Sequence, residues 1–205
     1  MISVLFTDDK YINKIKSKLP DLFQIAEVES SRAGKVGMEV GVLRERILIA
    51  MLMYFFGVTN VDTKIPTTET ELDVKLLGKL ISIKTLTSKK LSRFKLAWTV
   101  DPLVALKFKT DYLPKCDILL AQINWNNIGH IYYFPLSVQI ETLDKIGREN
   151  YIKLPNAGTN TRGIEISDEA LTNLSSHKDT LKMEILWTKT DMIVDTFIRW
   201  FELWN

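Results

Sequence analysis

The chain has 205 residues, of which 46% are hydrophobic and 25% charged, with a net charge of +2. That balance excludes a disordered polyelectrolyte, and the length suits a single domain, residues 1–205, with a sizeable core. One cysteine, Cys116, excludes an intramolecular disulfide and makes a reducing cytoplasm the simplest setting; the N-terminus, an apolar run followed by Asp8 and Asp9, is not a secretory signal. The longest apolar run, Ile47 to Val58, falls short of the ~20 residues needed to span a bilayer, so no membrane partner is expected.

Lys10 to Lys18 has mixed helical character, and Pro20-Asp21 reads as the opening of a second helix running to about Ser30. A glycine-rich, basic link follows, with Gly34, Gly37 and Gly41. It lacks the G-K-[ST] signature and the preceding strand of a phosphate-binding loop, and reads as a mobile or close-packed approach to the next helix. That helix is predicted from Val40 to Phe56 with Gly57 as its stop. It is polar for one turn at Arg44-Glu45-Arg46 and apolar all round thereafter, so most of it should be core. Glu45 is the only carboxylate in its body and stands where the helix passes from solvent to interior. A salt bridge is the plain alternative to a functional role there.

Val58 to Thr70 is a polar connection that delivers the chain into Glu71–Thr85. There Leu72, Val74, Leu76 and Leu77, then Leu80, Ile81 and Ile83, form two apolar runs around Gly78-Lys79, which suits a hairpin turn. With that loop Leu77 faces Leu80, and counting places Asp73 opposite Lys84, with Cβ atoms roughly 4.5–5.5 Å apart on one face of the sheet. A catalytic pair and an ordinary cross-strand ion pair both fit this spacing. Between Val74 and Val100 there is no Asp or Glu, while Lys75, Lys79, Lys84, Lys89, Lys90, Arg93 and Lys95 supply +7, leaving −5 for the rest of the chain. Phe94 and Trp98 are interleaved with these cations. Such a segment suits a polyanion-binding surface or, more plainly, a solvated basic loop.

Asp101-Pro102 opens a segment that Pro114 ends. Cys116 to Trp125 and Gly129 to Pro135 read as two strands around Asn126-Asn127-Ile128, with Leu136 to Ile146 as a helix behind them. His130 and His177 lie far apart, without acidic or cysteine partners at ligand spacing, and do not suggest histidine catalysis or a zinc site. Asn156 to Ser167, which holds Asn160 and Arg162, suits either hydrogen bonding to base edges in a major groove or an ordinary turn. Ser167-Asp168-Glu169 caps a helix toward His177, and Lys182 to Trp187 is a strand. Asp191 opens a last amphipathic helix whose Ile193, Phe197, Ile198, Trp200, Phe201 and Trp204 form a packing or dimer face.

With Glu45, Asp73 and Lys84 placed, the chain resembles the type II restriction endonucleases of the PD-(D/E)xK superfamily, and specifically the ThaI-like family, whose members recognise CGCG and leave blunt ends. The resemblance rests on a helix glutamate, a strand aspartate and a strand lysine separated as Glu45, Asp73 and Lys84 are, and on an intercalating methionine placed as Met38 is. It covers Met38 to Lys84, about a quarter of the chain. Ser82 occupies the position two before the lysine where the superfamily usually has an acid, so Glu45 would have to replace it. Asp73-Val74-Lys75 spells D-x-K and Pro20-Asp21 spells P-D, and both read as decoys, because Lys75 would sit opposite Ser82 and lead no second strand.

The resemblance implies an α/β, restriction-endonuclease-like core, with a mixed central sheet flanked by helices, as one catalytic and DNA-binding domain. It implies metal-assisted phosphodiester hydrolysis in double-stranded DNA, with Mg²⁺ held by Asp73 and Glu45. Lys84 would orient or help deprotonate the attacking water and offset charge in the transition state. A palindromic target implies a two-fold homodimer. Candidate DNA contacts are Met38, Lys35, Lys89, Lys90, Arg93, Asn160 and Arg162, Met38 being either a wedge at a CpG step or a core residue under its helix. Two other readings fit the residues: a junction-resolving or repair nuclease of the same architecture, and a non-catalytic DNA- or partner-binding module in which Asp73 and Lys84 only form an ion pair.

Overall fold

The structure, a computed structural model, describes residues 2–32, 35–37, 39–66, 71–155, 163–192, 194–195 and 197–204. In chain order the elements are α1 (Val4–Thr7), α2 (Asp9–Ser30), β1 (Ser31–Arg32), β2 (Lys35–Val36), α3 (Val40–Phe56), β3 (Val61–Asp62), β4 (Val74–Leu76), β5 (Lys79–Thr87), β6 (Lys95–Ala97) and α4 (Pro102–Asp111). They continue with β7 (Asp117–Ile123), β8 (Asn127–Phe134), α5 (Leu136–Tyr151), β9 (Ile152–Lys153), β10 (Ile164–Ile166), α6 (Asp168–Ser176), β11 (Leu181–Trp187) and α7 (Ile198–Glu202).

Six strands form one mixed sheet in the order β11-β8-β7-β5-β4-β3, in which β5 and β7 run parallel and the other neighbours antiparallel. Central β7 is buried along its whole length because helices cover both faces of the sheet, whereas β11 at the edge alternates buried and exposed residues. On one face Leu5, Ile15, Leu19, Phe23, Leu48 and Leu52 from α1, α2 and α3 pack on Ile81, Ile83, Leu119 and Trp187. On the other, Ala105, Val138, Leu143, Leu171 and Leu174 from α4, α5 and α6 pack around Leu120, Tyr132 and Phe134. This is the α/β mixed-sheet core that the resemblance implies. Among the described residues no helix is long and apolar enough to cross a membrane.

The helices differ from expectation in three places. Asp9 to Ser30 is one helix with Pro20 inside it, not two. A proline in a helix interior costs about 3 kcal/mol, and a fully buried Ile, Leu or Phe contributes roughly 1.5–3 kcal/mol. Ile15, Leu19 and Phe23, all buried on one stripe, therefore outweigh it. Helix α3 has the expected bounds and stops at Gly57, whose φ of 90° suits a residue without Cβ. Only Arg44, Leu48 and Leu52 are fully buried, while Ile47, Ile49, Met51, Met53, Phe55 and Phe56 pack half-buried against the core, so the apolar turns join the core without being enclosed on all sides. One i, i+4, i+8 row faces the sheet, while Tyr54 is 69% exposed. The last helix is confined to Ile198–Glu202, and Ile193 and the Trp200 side chain fall outside the description.

The link before α3 folds as the antiparallel ribbon β1-β2. Gly37 N–H donates to Ser30 O at 2.9 Å, and a Cβ on Gly37 would meet that oxygen at 2.8 Å, so the close-packed reading of this glycine is the correct one.

Candidate active site

The hairpin carrying Asp73 turns one residue earlier than counting from the sequence suggests. Leu76 pairs Lys79, Lys75 pairs Leu80 and Val74 pairs Ile81, so the loop is Leu77-Gly78. Both loop residues have positive φ, 49° and 84°, which a two-residue type I′ turn requires. Two tertiary contacts select this register. Asp117 is buried at the foot of β7, and Lys79 Nζ, drawn into β5, meets its Oδ2 at 2.8 Å. Tyr133 OH and the Leu136 N–H donate to the same carboxylate. On the other side Leu77 N–H donates to Asn60 O at 2.8 Å, continuing the pairing of β4 with β3. The ladder is thereby shifted by two residues. Lys75 opposes Leu80 and not Ser82, and Asp73, next after Val74 in the ladder, comes level with Ser82 and not Lys84. A shift of two keeps every side chain on its face, so Asp73 and Lys84 still meet, now diagonally.

Because β4 pairs only with Lys79–Ile81, the rest of β5 has β7 on one side and no strand on the other among the described residues. The Asp73 carboxylate occupies the start of that open edge. Its Oδ2 accepts the Ile83 N–H at 2.6 Å, Ser82 Oγ–H at 3.1 Å and Lys84 Nζ at 3.3 Å. Ser82, standing where an acid is usual, thus holds the aspartate rather than a cation.

Glu45 enters from α3. No hydrogen bond among the described residues engages its carboxylate, and burial pushes its carboxyl up to about 7, with nearby Lys84 lowering it and nearby Asp73 raising it. Two carboxylates of this kind, partly desolvated and facing one lysine, suit a hard divalent cation, which is held by one or two carboxylates together with waters and substrate phosphate. No group of three or more His, Cys, Asp or Glu able to hold a metal occurs among the described residues, so the donor set is the sparse kind that leaves room for substrate oxygens.

Arg44, beside Glu45, was expected in a solvent-facing turn and is instead only 4% exposed. Its guanidinium pairs with Glu27 of α2 and donates to Thr87 Oγ1 at 2.9 Å. Glu27 also accepts Trp125 Nε1–H at 2.6 Å and Lys189 Nζ at 2.7 Å. Thr87 lies three residues beyond Lys84 on β5, so this buried network fixes the helix that carries Glu45 to the strand that carries Lys84. The i, i+4, i+8 row of Arg44, Leu48 and Leu52 was the sequence signal that Arg44 points inward.

The other candidates separate into two groups. Lys35, Lys89 and Lys90 are exposed, but Arg93 is paired with Glu165 at 3.8 Å and Asp168 at 3.5 Å. Lys95 stacks over Trp98, 3.6 Å from the ring centroid, and Phe94 is core. Much of the basic segment therefore has partners within the chain. Met38, Asn160 and Arg162 lie outside the described residues, as does most of the loop from Asn156.

A glutamate, an aspartate and a lysine gathered at the open edge of β5 suit phosphodiester chemistry. No curated protein matches the chain. Among solved structures, a restriction endonuclease in complex with substrate DNA is 50% identical, with a TM-score of 0.93, over 99% of this chain and 98% of that one. The family model described as restriction endonuclease ThaI matches residues 5–205. That span reaches far beyond the quarter of the chain on which the resemblance first rested, and it decides against the repair-nuclease and non-catalytic readings: the chain belongs to the ThaI family of restriction endonucleases, enzymes that hydrolyse DNA.

Proposed function

We propose that the chain cuts double-stranded DNA at CGCG, leaving blunt ends, as a Mg²⁺-dependent homodimer in which Glu45, Asp73 and Lys84 form the site. The observation that supports this reading is the convergence of the three residues: Lys84 lies 3.3 Å from Asp73, and Glu45 feels the charge of both. Asp73 and Glu45 would hold the metal, which when bound polarises the phosphoryl oxygen and yields a hydroxide-like nucleophile near neutral pH.

The chain's own residues do the rest. Asp73 keeps its orientation because a backbone amide and the Ser82 hydroxyl hold its Oδ2. Lys84, half-buried and tied to Asp73, lies beside the scissile phosphate. It orients the attacking water and offsets negative charge as the phosphorane-like transition state forms. Exposed Lys35, Lys89 and Lys90 contact phosphates, and Arg93 does so by exchanging its acidic partners for the backbone. Asn160 and Arg162 contact base edges, and Met38 wedges into CpG, a flexible pyrimidine–purine step that CGCG repeats on either side of its two-fold axis.

The test is digestion of plasmid and of a CGCG duplex with the purified chain and Mg²⁺. Discrete blunt fragments ending within CGCG are expected. Cleavage at another sequence would refute the assigned target, and undiminished cleavage in the presence of EDTA would refute the metal.

A further inference from the structure

After β11 the chain is fastened to α2, where Gln24 Oε1 accepts the Thr190 N–H at 2.9 Å and Gln24 Nε2 donates to Thr190 O at 2.6 Å. Beyond that clasp it runs out as an arm that ends in α7. Asp195 Oδ1 accepts the Phe197 and Ile198 amides at 2.9 and 3.2 Å, so the arm holds its own helical turn. Three of its described aromatic side chains are uncovered: Phe197 is 76% exposed, Phe201 64% and Trp204 90%. A groove of about 350 Å³ lies between α2 and α3, lined by Ile15, Leu19, Leu22, Ile47, Met51 and Phe55, with Lys14 and Lys18 among its walls. Its floor is almost wholly apolar, and Tyr54 at its edge is 69% exposed. Patches of this kind mark interaction surfaces.

We propose that the α7 arm of a second copy of this chain lies in the α2–α3 groove, and that the two copies exchange arms reciprocally. This rests on the homodimer reading above and adds which surfaces form the dimer. Three observations point to this occupant. The arm leaves the body at Gln24, two residues beyond Leu22 of the groove, and still leaves its rings outside the groove of its own chain. Gln24 lies on the opposite side of α2 from Leu22, so arm root and groove stand at one level of the same helix, and a two-fold axis there lets each arm cross into the other copy, closing the assembly as an isologous contact must. Charge agrees as well. The arm carries Asp191, Asp195 and Glu202 against one cation, Arg199, and the groove presents Lys14 and Lys18. The area is adequate too. Three aromatic rings at roughly 150–250 Å² each, on two arms and against the grooves they cover, reach the roughly 1,200–2,000 Å² of a stable interface.

The test uses full-length chains carrying one cysteine each. Tyr54→Cys and Phe201→Cys variants are mixed and oxidised, and the product is read by non-reducing gel and intact mass. Cys116 is buried and does not compete. The expected product is a covalent heterodimer of twice the 23.6 kDa chain, in yield far above that of either variant alone. A Tyr54→Cys/Phe201→Cys double variant that closes only within one chain would overturn the exchange, as would the absence of a cross-link in the mixture. In parallel, sedimentation compares the wild type with Phe201→Asp/Trp204→Asp. At least tenfold weaker dimerisation of the variant is expected. A wild-type dimer that the variant matches refutes the arm while the homodimer stands, whereas a wild type that is monomeric even with DNA refutes both.

Discussion

Replacing Glu45 by glutamine tests whether the helix carboxylate is held at the site against its own desolvation. Burial pushes its carboxyl from the ordinary 4.5 up to about 7. At 1.36 kcal/mol per pH unit, ionising it in the folded chain costs at most about 3 kcal/mol, and screening at this partly exposed position reduces that to about 1–2 kcal/mol. Between pH 4.5 and about 7 the folded chain keeps a proton that the unfolded chain has released. Stability therefore falls as pH rises through that window and stays lower above it. Glutamine has no such proton. In metal-free buffer the two proteins should unfold alike near pH 4.5, and at pH 8 Glu45→Gln should be the more stable by about 1–2 kcal/mol in urea denaturation. Mg²⁺ favours the ionised form, so adding it should raise the stability of the wild type more than that of the variant. Identical pH profiles in the two proteins would refute the desolvation argument. Plasmid cleavage by Glu45→Gln at the wild-type rate would remove the glutamate from the site and direct attention to Glu69 and Glu71.

Lys84→Ala should lower plasmid cleavage by about 100-fold or more with its melting temperature retained, while Lys75→Ala, opposite Leu80 and about four residues of strand from Lys84, should digest normally; a normal rate for Lys84→Ala would mean the wrong lysine. Met38→Ala should weaken binding and cleavage of a CGCG duplex with little change in thermal stability, whereas a loss of roughly 2–5 kcal/mol with unchanged binding would make it a core residue. Arg44→Met strands a buried charge and should cost about 3 kcal/mol, the low end for a broken buried pair, since Lys189 and Trp125 still hold Glu27. A cost below about 1 kcal/mol in urea denaturation would show that the network does not fix α3. Leu77→Asn places a residue suited to positive φ in the turn and should add about 0.5–1 kcal/mol of stability, a gain that any destabilisation on denaturant unfolding would contradict.

Sequence alone determined the parts of this protein that depend on short-range pattern. The bounds of α3 follow from an apolar run closed by Gly57, the α6 cap from Ser167, whose Oγ accepts the Ala170 N–H, and the strands around Asn126 from two apolar runs broken at a turn. Residue types, spacing and a family resemblance single out Glu45, Asp73 and Lys84 as candidates, and the folded chain brings them within reach of one another. Tertiary structure decided what spacing cannot. The two-residue slip of the hairpin is set by Asp117, some forty residues from the turn, which needs a cation when buried and draws Lys79 into the strand. The inward turn of Arg44 depends on Glu27, Thr87, Trp125 and Lys189, which approach only after the sheet has formed. Pro20 stays inside a helix because packing against the sheet outweighs a local penalty. Pattern along the chain fixes which faces are apolar; which charges must be buried together is fixed only when distant elements meet, because the cost of an unpaired buried charge exceeds any local preference.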